Sequence, residues 1–223
     1  MHRMPHTQPP HASFKGRLPN VLTIARVGLA LGVIALLSGP IDPPTDPDGL
    51  TTQQNLLLLT LSLFLLAALT DAADGYLARK WNVVSLFGRV IDPFADKILI
   101  LGTFICLAGP TFADPRGGIA TGVHPWMVVL ILARELLVTT LRGVYESQGV
   151  DFSATRSGKL KMIFQSLAIP AVLAILALDP AEPGSPTRHA IDLIVWATLL
   201  VTIWSGLPYV LRAWRAPNSG EKP

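Results

Sequence analysis

Asp71, Asp74, Asp92 and Asp96 fall within 26 residues of a chain that is half apolar. On helices turning about 100° per residue, Asp71 and Asp74 lie roughly 60° apart and Asp92 and Asp96 roughly 40° apart. Each pair therefore projects from a single helix face. Four carboxylates meeting at intermediate dielectric repel one another strongly unless cations neutralise them. Two divalent ions would supply the four missing charges. With no His or Cys nearby, the donors are all oxygen, which suits Mg²⁺ or Mn²⁺, admits Ca²⁺ and disfavours Zn²⁺. The alternative, that these aspartates cap helix ends at a water interface beside Arg79, Lys80 and Lys97, accounts for any one of them better than for four at matched spacing.

Small residues share these faces. Gly75 and Ala78 lie within about 40° of Asp71, and Gly88 about 40° from Asp92. Such a face admits a flat ligand or a closely packed helix. Arg79, one residue beyond Ala78, either holds a phosphate or ends an inward-running helix as topology alone would place it.

The elements that position these groups are written in the hydropathy. Mean hydropathy is +0.47 with 15% charged residues, too apolar for an ordinary soluble domain. Apolar runs occur at Val21–Leu37, Leu50–Leu69, Ile98–Ala108, Trp126–Thr140, Met162–Leu178 and Ala190–Leu211. They do not alternate as barrel strands would, and in lipid only helices and closed barrels satisfy their own backbone. The expected fold is all-α, a polytopic membrane protein of six transmembrane helices. Cys106 stands alone, which excludes disulfide frameworks and cysteine-rich metal sites. No basic and aromatic patch points to nucleic acid.

Lys and Arg alternate sharply between the connections. Fourteen lie in the N-terminal tail, the 2–3 and 4–5 connections and the C-terminus, whereas the 1–2, 3–4 and 5–6 connections carry only Arg116 and Arg188. By the positive-inside rule both termini are cytoplasmic, and all four aspartates lie near the cytoplasmic end of the bundle. The three outer connections are rich in Gly and Pro and read as turns. Residues 1–16 read as a disordered tail, 17–215 as the helical domain and 216–223 as a C-terminal tail.

Residues 71–96 read Asp-x2-Asp-Gly-x2-Ala-Arg-x8-Gly-x3-Asp-x3-Asp, and this pattern resembles the signature of the CDP-alcohol phosphatidyltransferase family. Two looser segments, Leu18-Pro-Asn-Val-Leu-Thr-Ile-Ala-Arg26 and Ala133-Arg-Glu-Leu-Leu-Val-Thr-Thr-Leu-Arg142 followed by Ser157-Gly-Lys-Leu-Lys161, resemble the branch whose acceptor is sn-glycerol 3-phosphate. The resemblance implies a six-helix enzyme of the cytoplasmic membrane, with its site facing the cytoplasm, that moves the phosphatidyl group of CDP-diacylglycerol to that acceptor and releases CMP. It implies two divalent cations, Mg²⁺ or Mn²⁺, and a homodimer. Asp71, Asp74 and Asp92 would then be metal ligands and Asp96 a ligand or general base. Gly75, Ala78 and Gly88 would admit the cytidine nucleotide, with Arg79 near its phosphates and Asn20 and Thr23 in contact with it. As bare residues, Asn20 and Thr23 are also ordinary caps at the start of a helix.

An acceptor with its own phosphate calls for a second basic cluster, and Arg142, Lys159 and Lys161 meet that need, although the positive-inside rule alone would place them there. Arg134 lies about 12 Å before Arg142 along its helix, where a charge is costly unless paired. Either Glu135 or the aspartates neutralise it, or it faces a polar cavity and binds acceptor phosphate, the favoured reading. Arg26 raises the same question. Two rivals remain: the same family with another acceptor, such as phosphatidylglycerol, inositol phosphate or serine, and a cation transporter using the four carboxylates. The latter is weakened by the site's position at one end rather than the midplane.

Overall fold

The computed structural model describes residues 14–39, 47–81, 86–113, 118–149, 156–179 and 181–215, without the side chains of residues 14–20, 47–51, 74–79, 81, 86–90, 156 and 215. The described residues form six helices: α1 (Phe14–Ser38), α2 (Pro47–Trp81), α3 (Leu86–Leu107), α4 (Pro125–Ser147), α5 (Arg156–Leu178) and α6 (Pro186–Arg215). Helix α1 starts three residues before the domain boundary expected at residue 17. Of the expected tails over residues 1–16 and 216–223, residues 1–13 and 216–223 lie outside the described residues.

Proline sets several helix starts. Pro125 and Pro186 occupy the first position of α4 and α6, where the missing N–H costs nothing and φ is already helical. Ser185 completes the start of α6, its Oγ accepting from the Arg188 amide at 3.1 Å.

Among the described residues, four helices are long and apolar enough to cross a membrane, over Val21–Ser38, Thr52–Ala73, Ser157–Leu178 and Pro186–Trp214. Helices α3 and α4 are long enough, at 22 and 23 residues, but carry too many charged residues to join those four, against the expectation of six equal spans. The reason is chemical: α3 carries Arg89, Asp92, Asp96 and Lys97, and α4 carries Arg134, Glu135, Arg142 and Glu146. These two helices hold much of the candidate site.

The helices pack as a closed ring in the order α3, α1, α2, α5, α6, α4, with α4 returning to α3. Helix α1 thus separates the two aspartate-bearing helices, and α2 and α3 scarcely touch despite being consecutive. Large apolar side chains such as Leu66, Leu69, Leu193, Leu200 and Trp204 face outward, which suits lipid rather than water. Packing between helices in lipid rests on close approach, and Gly102 supplies it where α3 meets α1: a Cβ there would lie 2.5 Å from Ile34 Cδ1.

The interior has two halves. Around Leu37, Leu57, Leu107, Met127 and Ile191 it is apolar. At the opposite end, where α1, α3 and α5 begin and α2, α4 and α6 finish, Thr23, Arg26, Glu135, Ser157 and Lys161 are buried instead.

Candidate active site

The polar end is organised first by α1. Thr23 and Arg26 are three residues apart, one helical turn, so they share a face, and both are 1% exposed. Arg26 Nη1 lies 2.6 Å from Asp71 Oδ1 on α2, and Thr23 Oγ1 donates to Asp92 Oδ1 on α3, also at 2.6 Å. One face of α1 therefore holds a carboxylate from each aspartate pair. Neither Thr23 nor Asn20 is at the start of its helix, since α1 begins at Phe14; capping is not their role. Arg26 is neutralised by the aspartate cluster.

Asp71 and Asp92 are each engaged through one oxygen, and among the described residues no partner is seen for the other. Hard oxygen donors with a spare lone pair each fit Mg²⁺ or Mn²⁺. No three acidic, His or Cys side chains among the described residues converge closely enough to enclose an ion. The side chains of Asp74, Gly75, Ala78, Arg79, Gly88 and Asn20 lie outside the described residues. Asp96 stands two residues before the apolar stretch that begins at Ile98.

A cavity of about 410 Å³ opens between α3, α4, α5 and α6. Asp96 lines one wall, and Arg134, Arg142, Lys159 and Lys161 line the others, so the four basic residues singled out from sequence come together in one place. Arg134 is also paired: its Nη1 donates to Glu135 Oε1 at 3.0 Å and its Nη2 to the Ser205 carbonyl at 3.4 Å. Glu135 neutralises it, and Arg134 also lines the cavity. Lys161 Nζ lies 2.6 Å from the same Glu135 oxygen.

Lys97, Glu135 and Tyr209 also line the cavity, and Gly206 packs against Arg134 beside it. Glu135 takes an ion pair from Lys161 on α5 as well as from its neighbour Arg134. Lys97 crosses from α3 to α4 and donates to Thr139 Oγ1 at 2.6 Å. Tyr209 on α6 accepts from Arg142 Nη2 at 3.4 Å, and its ring lies under the Arg134 guanidinium at 6.0 Å. Gly206, one turn earlier, leaves room for Arg134: a Cβ would stand 3.2 Å from Arg134 Cγ. No motif in the sequence marks Tyr209 or Gly206, because their relevance depends on how α6 is rotated against α4.

Comparisons with known proteins place the chain among relatives of one family. A family model described as CDP-alcohol phosphatidyltransferase covers residues 17–204. The CDP-diacylglycerol–glycerol-3-phosphate 3-phosphatidyltransferase of Bacillus subtilis is 34% identical over 199 residues, 89% of this chain and 96% of that protein. The protein of the same name from Rickettsia typhi is 35% identical over 193 residues, 86% of this chain and 94% of its own. A third, from Cereibacter sphaeroides, is 32% identical over 168 residues, 74% and 66% of the two chains. With the family model spanning the aspartate helices and all of the cavity lining but Tyr209, this chain belongs to the CDP-alcohol phosphatidyltransferase family.

Proposed function

We propose that this protein transfers the phosphatidyl group of CDP-diacylglycerol to sn-glycerol 3-phosphate, yielding phosphatidylglycerophosphate and CMP, within phospholipid biosynthesis. The observation that carries the reading is the cavity in which Arg134, Arg142, Lys159 and Lys161 face Asp96, in a chain matched along most of its length by relatives named for that reaction. The polytopic reading extends to six spans, with both termini and the site on the cytoplasmic side of the cytoplasmic membrane. Its support is the alternation of Lys and Arg between connections. Homodimerisation is proposed from family membership.

The chemistry divides among the chain's own residues. The primary hydroxyl of the acceptor attacks the phosphorus bonded to the diacylglycerol oxygen. A new P–O bond forms, the P–O bond to CMP breaks, and the hydroxyl proton passes to Asp96, the general base of the reading. Asp71, Asp74 and Asp92, with Asp96, would hold two divalent cations. Bound there, such ions polarise the phosphoryl oxygens and offset charge on the leaving group. Thr23 and Arg26 keep Asp92 and Asp71 oriented, the supporting role that partners of metal ligands commonly have. Gly75, Ala78 and Gly88 would let the nucleotide approach the backbone, with Arg79, Asn20 and Thr23 near it. Arg134, Arg142, Lys159 and Lys161 draw the acceptor phosphate into the cavity and hold it.

Position explains the division further. A lipid donor keeps its acyl chains in the bilayer while its head group and a soluble acceptor meet at the boundary, so the site belongs at one end of the bundle. The test is an acceptor panel. Purified protein with CDP-diacylglycerol and Mg²⁺ is expected to release CMP with glycerol 3-phosphate but not with phosphatidylglycerol, inositol phosphate or serine. Preference for one of those three would overturn the acceptor assignment.

A further inference from the structure

Among the described residues, Glu135 is the one carboxylate inside the basic part of the cavity, and its two oxygens are used unequally. Oε1 takes both cations, Lys161 Nζ at 2.6 Å and Arg134 Nη1 at 3.0 Å. Oε2 has no partner among the described residues, yet it is not one of their enclosed, unsatisfied atoms. Glu135 lines the cavity with a side chain only 10% exposed, so that exposure is toward the cavity. A buried carboxylate oxygen left open in this way invites a hydrogen-bond donor and repels an anion.

Resting on the reaction proposed above, we propose that Glu135 is a specificity-determining residue whose Oε2 accepts a hydrogen bond from the non-reacting secondary hydroxyl of the acceptor. Glycerol 3-phosphate has three handles: a phosphate, a primary hydroxyl that reacts, and a secondary hydroxyl between them. The phosphate cannot sit against Oε2, because like charges repel, and is driven toward Arg142 and Lys159. The secondary hydroxyl is the donor left to meet Oε2. Held at both points, the acceptor presents its primary hydroxyl to the wall that carries Asp96. Glu135 also leaves Arg134 and Lys161 with one net positive charge between them, so the cavity still attracts a phosphate dianion.

A site built to bond a hydroxyl discriminates strongly against an analogue without it, because the buried partner is left unmet. The probe is 3-hydroxypropyl phosphate, which keeps the phosphate and the primary hydroxyl and lacks the secondary one. Wild type is expected to favour glycerol 3-phosphate by about 100-fold or more in kcat/KM, and Glu135→Gln to reduce that preference about tenfold. Glu135→Asp, which keeps the charge but withdraws the oxygen, is expected to narrow it as well and serves if the amide variant does not fold. A purely structural role would lower both acceptors together. An unchanged ratio in both variants, or a wild type that uses both acceptors equally, overturns the inference. A wild type inert with glycerol 3-phosphate overturns the proposed reaction itself, and this inference with it.

Discussion

The buried Arg26 guanidinium of α1 lies 2.6 Å from the half-exposed Asp71 carboxylate of α2, and one turn earlier on the same face Thr23 reaches Asp92 of α3. Two carboxylates on helices that scarcely touch are thereby set relative to each other by a third helix that bears neither. Thr23→Val is nearly isosteric and removes only the hydroxyl. It is expected to lower CMP release about 10- to 100-fold, the usual cost of losing support behind a metal ligand, while the melting temperature moves little. Thr23→Ser keeps the donor and should recover most of the rate.

Removing one partner of a buried ion pair costs about 3–5 kcal/mol. Lys161→Met should fall at the low end of that range, near 3 kcal/mol, because Arg134 remains on the Glu135 oxygen. Lys159 is exposed on the same cavity, so Lys159→Gln should leave the melting temperature unchanged and raise KM for glycerol 3-phosphate a few-fold. Melting curves and acceptor titrations on the two variants check the contrast.

Two glycines separate packing from binding. Gly206→Ala places a methyl 3.2 Å from Arg134 Cγ and should displace the guanidinium, raising KM for glycerol 3-phosphate more than it lowers kcat. Gly102→Ala meets Ile34 at 2.5 Å, away from the cavity. It should cost about 1–3 kcal/mol of stability, the range for overpacking, with KM for the acceptor unchanged.

If cations neutralise the aspartates, their addition relieves repulsion at the polar end and stabilises the fold by mass action. Mg²⁺ or Mn²⁺ should raise the melting temperature of EDTA-treated protein even without substrate. Asp71→Asn and Asp92→Asn should shrink that shift. An equal shift in wild type and both variants would place the ions elsewhere.

The two aspartate pairs were legible because a fixed spacing on a helix fixes relative direction, and Asp71, Asp92 and Asp96 do lie at one end of the bundle. Arg134 drew notice because a charge in an apolar run demands a partner. What paired with what was not legible. Arg26 meets Asp71 across 45 positions of sequence, and Lys161 meets Glu135 across 26, because of how whole helices are rotated and ordered around the ring, which no local pattern encodes. The same dependence hid Gly206 and Tyr209. The six apolar runs gave the six helices, but α3 and α4 carry charged site residues within their span-length stretches.

The most direct test of the central claim follows labelled glycerol 3-phosphate into lipid. Wild type with CDP-diacylglycerol and Mg²⁺ should transfer one label into extractable lipid for each CMP released, and Asp96→Asn, folded with an unchanged melting temperature, should do neither. CMP release without label in lipid, or undiminished transfer by Asp96→Asn, would contradict the account.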